Sequence, residues 1–487
     1  MSSTTASTID ALKRLRESLT RKPPYVSGTL PVQPDDLILF FGKEDISQYQ
    51  PTSPSCALRL NYATAGLGRL DALSQACDRA SFGVDNQTVL DDTYRKAGKL
   101  DTAFFSTPFV PERSRLVEVI RGSLLEGKDA TRPIHIELYK LNVYDEGSFF
   151  KPHKDTPRSG SMFASLVVVF PTLHEGGALV LRHGGEEWTF DSAQVLASAA
   201  PPSVAYISFF SDVEHEVLPV TKGHRVTLTY NIYYADVDDD PNLPAALPSM
   251  DPLAASSHGN MLLSALKDLL DAPDFLPKGG ALGFGLRHVY PVLADPGDSM
   301  SGSLDRVRRL LKGPDALVLQ ACTALDLDAR LYFVYSFNKR TPTDPALDEA
   351  ASAASLSASA SGFHEDLGQL SLIMTEQTIV EHDRFNMESS FKQRIRWGST
   401  WHVEKGPPYL MGIRSAVVYN FGDERSLDMK VSWVTVPNSW TKISQPMLVY
   451  GNETSLGWTY VNVCLVVRVG QPGRRWAWDD VPMDLDM

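Results

Sequence analysis

Cysteine is scarce in this chain, with four in 487 residues, Cys56, Cys77, Cys322 and Cys464. No two lie close enough for a Cys-x-x-Cys zinc or redox site, and so few thiols fit buried small residues in a reducing compartment. Positive charge is also short. Lys and Arg total 46 against 59 Asp and Glu, a formal charge of −13. That balance speaks against a broad nucleic-acid or anionic-membrane surface. Long apolar runs are missing; the stretch Leu166 to Phe170 is strand length and far too short to cross a bilayer. Met1 to Lys22 lacks both the basic-then-apolar leader pattern and an arginine-rich transit character, so the expected location is intracellular, in cytoplasm or nucleus. No Gly-x-Gly-x-x-Gly follows a strand pattern and no Walker-type loop occurs, which leaves a Rossmann or nucleotide-hydrolase reading unsupported. What is present is ordinary for a globular chain able to bury a core: 43% apolar and 22% charged residues. The length allows two or three domains.

Periodicity divides the chain. Ile9, Leu12, Leu15 and Leu19 recur at helical spacing, and Pro23 and Pro24 close that opening. Asp36 to Phe41 reads as a strand, and Leu70 to Cys77 and Glu112 to Leu125 as helices. From Ile134 to Tyr234 the pattern turns to short strands: Ile134 to Tyr144, Ser165 to Phe170, Ala178 to Leu181, Val204 to Phe209 and Arg225 to Tyr233. Gly, Pro and acidic turns separate them, as in an antiparallel sandwich or jelly roll. Asp236 to Asn260 carries Pro241, Pro244, Pro248 and Pro252 and reads as a linker. Helical signals return at Met261 to Leu270 and Leu304 to Leu311. Strands are expected at Ala281 to Tyr290, Leu331 to Phe337, Leu370 to Met374, Ser415 to Tyr419 and Val461 to Val469. Glu349 to Gly362, nearly all Ala and Ser, reads as a surface insertion. The expected organisation is a lead-in over 1–54, a first domain over 55–240, a linker over 241–260, a mixed α/β region over 261–475 and an acidic tail over 476–487.

The segment that carries chemistry runs Tyr-Asp-Glu-Gly-Ser-Phe-Phe-Lys-Pro-His-Lys-Asp from Tyr144 to Asp155. His153 and Asp155 are two apart, which on a strand puts both side chains on one face. His215 follows in Ser-Asp-Val-Glu-His-Glu-Val from Ser211 to Val217. Two imidazoles and one carboxylate are the donors of a facial triad for non-haem Fe(II), with positions left for a chelating cosubstrate and dioxygen. Beyond His215 comes Arg225, and Thr227 shares its face of the strand. An inward arginine is expensive to bury unless it grips a carboxylate.

These residues resemble the Fe(II)- and 2-oxoglutarate-dependent dioxygenases, above all their prolyl 4-hydroxylase-like branch, and fungal proteins of uncharacterised substrate carry similar text around the distal histidine. The resemblance covers about Ile134 to Tyr234. It implies a mainly β fold with flanking helices, a double-stranded β-helix (jelly-roll) core followed by the C-terminal mixed α/β region. It implies that His153, Asp155 and His215 ligate Fe(2+), that Arg225 and Thr227 bind the far carboxylate of 2-oxoglutarate, and that Tyr144 helps to hold it. Glu175 to Leu179 resembles the family's turn into a strand. The implied reaction is hydroxylation with O2, coupled to decarboxylation of 2-oxoglutarate, with ascorbate as a candidate reductant. Arg225 stands where prolyl 4-hydroxylases more often have lysine, which points away from the collagen-type enzymes toward intracellular ones. Some of those carry a second, non-catalytic β-domain, and 261–475 is the candidate for one here, a surface for a protein partner.

The bland readings weigh against single residues. His364 and Asp366, with His402 and Arg414, repeat the pattern as a decoy after the Ala/Ser stretch, with Ser355 in the place of the tyrosine. His224 is expected to face outward, and Arg158 to lie at the rim. His174 and His183 fall near turns. Three functions follow: a protein hydroxylase acting at a side chain such as proline, a small-molecule oxygenase, or a protein-binding scaffold with an inactive oxygenase fold. Membrane association is not expected, and nucleic acid is disfavoured by the charge.

Overall fold

The computed structural model describes residues 3–20, 22–42, 58–84, 87–235, 257–293, 303–338, 369–374, 415–418, 429–435, 458–461 and 463–477. The opening helix, Ser3–Thr20, buries Ala11, Leu12, Leu15 and Leu19. Steps of three and four residues put them on one face. Full burial of each leucine contributes about 1.5–3 kcal/mol. That face lies on the helix Ser257–Asp271, which in turn packs on Gly313–Ala324.

Two sheets build the middle of the chain. The larger has seven strands in the order Tyr25–Pro31, Ser203–Phe210, Met162–Val169, Arg225–Tyr234, Ile134–Tyr144, Gly98–Asp101 and Asp78–Arg79. The smaller has five: Glu186–Phe190, Leu179–His183, Glu214–Val217, Phe149–His153 and Arg95–Lys96. All their pairings are antiparallel. Every residue of Ser203–Phe210 is buried, because both faces of that strand are covered. The helices Leu116–Leu124 and Ser192–Ser198 pack against it.

The expected jelly-roll barrel is corrected here. Among the described residues no sheet closes: the fold is a mixed α/β arrangement of separate, mostly antiparallel sheets with seven helices. Alternation of apolar and polar residues reports which face of a strand is buried, and it is the same for open and closed sheets. The edges are instead blunted. Two-residue strands, Asp78–Arg79 and Arg95–Lys96, end one side of each sheet, and so short an edge offers little to pair with.

The later part carries a six-stranded sheet in the order Gln369–Met374, Asp328–Asn338, Val463–Val469, Gly280–Gly285, Met429–Thr435 and Ser415–Val418. Its pair Gly280–Gly285 with Met429–Thr435 is parallel. One buried apolar cluster includes Leu15, Leu166, Leu266 and Leu282, so residues from all parts of the chain share a core. Residues 257–260 of the expected linker already belong to the helix Ser257–Asp271. The rest of that linker, Glu349 to Gly362, the decoy His364, Asp366, His402 and Arg414, and the tail beyond residue 477 lie outside the described residues. Among the described residues no helix is long and apolar enough to cross a membrane.

Candidate metal centre

Phe149–His153 and Glu214–Val217 are neighbouring strands, and His153 stands directly opposite His215. The two rings lie 4.2 Å apart between centroids. Asp155 follows at the end of the first strand, its Oδ1 3.8 Å from His215 Nε2. Ligand atoms of all three residues fall within 4.8 Å of one another, and all three side chains are buried. Each ring has a fixed tautomer. His153 Nδ1 donates to the Lys151 carbonyl at 2.8 Å and His215 Nδ1 to the Val213 carbonyl at 3.0 Å. Both Nε2 atoms are thereby left as lone-pair donors, as a metal requires. Burial, and after it the neighbouring His215, hold His153 well below the ordinary histidine value, so its ring is neutral at physiological pH. Asp155 Oδ2 accepts from Ser165 Oγ, and its backbone N–H donates to the Ser211 carbonyl at 3.2 Å.

The three ligand candidates share a cavity of about 50 Å³ between the two sheets, and Tyr144, Arg225 and Thr227 line it as well. Tyr144 and Arg225 are paired across adjacent strands, with the guanidinium 5.5 Å from the centre of the phenol ring. Arg225 is 1% exposed. Its Nε donates to Ser192 Oγ at 3.4 Å, while its Nη2 is buried and finds no protein partner. Burial pulls this guanidinium below its ordinary value. A buried cation with an unused N–H is the receptor a carboxylate satisfies. The residues present therefore fit a metal ion at one end of the cavity and an anionic chelator reaching to the other.

Several neighbours were not legible as site residues. Arg95, from a two-residue strand, lines the cavity and lies over the Phe150 ring at 4.3 Å. Phe150 in turn stacks on His153 with centroids 3.5 Å apart. Asn142 accepts from Arg95 Nη2 at 3.1 Å; its place two residues before Tyr144, on the same strand face, is a signal that strand alternation carries. His174 holds its Nδ1–H on the Thr172 carbonyl at 2.8 Å, so its Nε2 accepts from Ser192 Oγ at 3.2 Å. The relay Arg225 to Ser192 to His174 fixes the guanidinium from behind. His224 does not face outward as expected. It is buried, with Nε2 3.2 Å from Asp71 Oδ1, because the strand begins at Arg225 and alternation does not extend to the residue before it. Arg158 is half-buried, donates to the Tyr139 hydroxyl and does not line the cavity. His183 joins Asp212 and His288 in a second buried group.

A two-histidine, one-carboxylate centre opposite a buried arginine defines a metal-dependent oxygenase type of site. Residues 139–233 match the 2OG-Fe(II) oxygenase superfamily. No curated protein matches the chain. Among solved structures, a Pseudomonas putida prolyl-4-hydroxylase is 16% identical, covering 46% of this chain and 98% of its own, with a TM-score of 0.25. A Trichoplax adhaerens prolyl hydroxylase in complex with a hypoxia inducible factor oxygen degradation domain peptide fragment is 15% identical over 47% of this chain and 92% of its own, TM-score 0.27. AviO1 from Streptomyces viridochromogenes Tue57 is 17% identical over 49% and 97%, TM-score 0.25. Likenesses this distant say nothing of substrate.

Proposed function

We propose that the chain is a non-haem iron oxygenase of the prolyl 4-hydroxylase-like branch, coupling hydroxylation of a protein side chain, such as a proline, to oxidative decarboxylation of 2-oxoglutarate inside the cell. The observation that carries this reading is the meeting of His153, Asp155 and His215 around one point, in a cavity that also holds the unpartnered Arg225 Nη2. His153 and His215 through Nε2, and Asp155 through Oδ1, would hold Fe(2+). Arg225 would grip the far carboxylate of 2-oxoglutarate, Thr227 would add a hydroxyl, and Tyr144 would bound the chelator opposite Arg225. Bound iron and 2-oxoglutarate supply the activation of O2 that hydroxylates a C–H bond; ascorbate would serve to keep the iron reduced. The protein's part is to fix ligand geometry, neutralise the chelator's charge and keep bulk water from the reacting centre.

The scaffold reading would require the ligand candidates to stand apart, and they converge. The decisive experiment is an anaerobic Fe(II) titration with and without 2-oxoglutarate, followed by succinate detection when O2 is admitted. One Fe(II) per chain, with succinate formed only when both are present, is expected. A chain that takes up no Fe(II), or makes no succinate, overturns the proposal.

A further inference from the structure

The two residues that fix the metal ligands by their backbone carbonyls flank a single aspartate. The Ser211 carbonyl accepts the Asp155 N–H at 3.2 Å, and the Val213 carbonyl accepts His215 Nδ1–H at 3.0 Å. Between them stands Asp212, 1% exposed. Its carboxylate is held mainly from the later part of the chain: Lys312 Nζ at 2.7 Å on Oδ1, His288 Nδ1 at 3.1 Å from both oxygens, and the Val289 N–H at 3.0 Å on Oδ2. These donors are themselves fixed. Asp315, in the first turn of the helix Gly313–Ala324, accepts the backbone N–H groups of Arg287 at 2.9 Å and His288 at 3.0 Å and the Tyr290 hydroxyl at 2.7 Å.

We propose that the region from residue 257 onward positions the metal centre, by gripping Asp212 and thereby setting the two carbonyls that orient Asp155 and His215. Lys312 and His288 are positioning residues; neither touches the metal cavity. The inference rests on the oxygenase reading and adds to it a role for the later part of the chain. His183, whose Nε2 lies 3.6 Å from Asp212 Oδ2 and whose ring stacks on His288, would make this group a second metal site on ligand type alone. Lys312 argues otherwise: its ammonium already supplies the cation at the carboxylate, and His288 presents a protonated Nδ1 to it. A divalent ion there would face a buried ammonium.

The test uses the full chain. Removing Lys312 alone would strand a buried carboxylate, so Asp212→Asn and Lys312→Met are combined, with Lys312→Arg as the conservative variant that keeps the contact. Fe(II) affinity is measured anaerobically, and the visible spectrum of Co(II), used as the probe metal, reports ligand geometry. Ligand-orienting partners are worth about 10–100-fold in metal affinity. The double variant is expected to fold, to bind Fe(II) at least about tenfold more weakly and to show an altered Co(II) spectrum, with wild-type behaviour restored in Lys312→Arg. Leu39→Ala, a destabilising change in the strand Ile38–Phe41, outside the region that grips Asp212, is expected to lower thermal stability and leave both readouts unchanged. Should the double variant fail to fold, His288→Phe, which keeps the stacked ring and removes the N–H, is read against the same expectations. A folded variant with wild-type affinity and spectrum overturns this inference alone. So does a second equivalent of tightly bound metal that His183→Ala removes. A wild-type chain that binds no Fe(II) overturns the oxygenase reading together with it.

Discussion

Asp155 has two carboxylate oxygens and a different task for each. Oδ1 faces His215 Nε2, while Oδ2 takes the Ser165 hydroxyl. Removing the carboxylate leaves two imidazoles, which cannot complete the site; Asp155→Ala and His153→Ala are expected to reduce succinate formation below about 1% of wild type, as three ligands act as one unit. Equal turnover in either variant refutes the ligand assignment. Arg225 acts at the other end. A hydrogen bond to a charged group contributes about 1.5–3 kcal/mol, so Arg225→Ala is expected to raise the KM for 2-oxoglutarate by roughly 10–150-fold while Fe(II) affinity without cosubstrate stays unchanged. An unaltered cosubstrate dependence rejects the carboxylate grip. Ser192→Ala, which breaks the relay to His174, removes a long 3.4 Å contact to Arg225 Nε and leaves Nη2 in place, so a smaller effect in the same direction is expected.

At the scale of the element, the turn before the strand Leu179–His183 sets where Arg225 lies. Gly177 has φ +68°, and a Cβ there would meet Arg225 Cδ at 2.9 Å and Val220 Cγ2 at 2.8 Å. Gly177→Ala therefore carries the left-handed backbone cost, about 1–2 kcal/mol, and also displaces the guanidinium. Gly185, in the hairpin turn that follows, has φ +84° with nothing within 4 Å of its Cβ position. Both variants are expected to lose thermal stability, but only Gly177→Ala to raise the KM for 2-oxoglutarate; a matching rise in Gly185→Ala would show that the effect is general softening. The Gly-Gly pair was readable in the sequence as a turn, and its proximity to Arg225 was not, since the contact joins residues 48 positions apart. The same distinction separates what was legible from what was not. Local periodicity located the helix that buries Leu12, Leu15 and Leu19 and the strand that carries Arg225, while the short strands that carry His153 and His215 were not among those read from the sequence. Sheet closure, the cavity wall formed by Arg95 and the grip on Asp212 depend on which edges and loops meet in space, and no spacing along the chain encodes that.

For the whole molecule, a buried ionic group joins the opening helix to the later part of the chain. His258 Nδ1 lies 2.9 and 3.0 Å from the Glu126 carboxylate oxygens, its Nε2 meets the Ser18 carbonyl, and Lys22 Nζ is 2.6 Å from Glu126 Oε1. Burial opposes charge on His258, but Glu126 and the Ser18 carbonyl outweigh it, and its pKa is raised above the ordinary 6.5. Burial likewise acts against the Glu126 carboxylate, yet His258 and Lys22 outweigh it, and its pKa is lowered from 4.5. The signs then fix the pH window. A raised histidine pKa gives stability that is fully present below 6.5 and lost as pH climbs through the folded value. A lowered carboxylate pKa gives stability present above 4.5 and lost as pH falls through the folded value. Between these limits the junction is strongest. His258→Gln keeps an N–H donor and removes the charge, so its deficit against wild type, about 1–2 kcal/mol near pH 6, is expected to shrink as pH climbs through the raised folded value and wild-type His258 loses its charge. Thermal unfolding of both chains across that range measures it. A deficit that stays constant with pH would mean that His258 is never charged in the folded protein, and that packing alone joins the first helix to the region that grips Asp212.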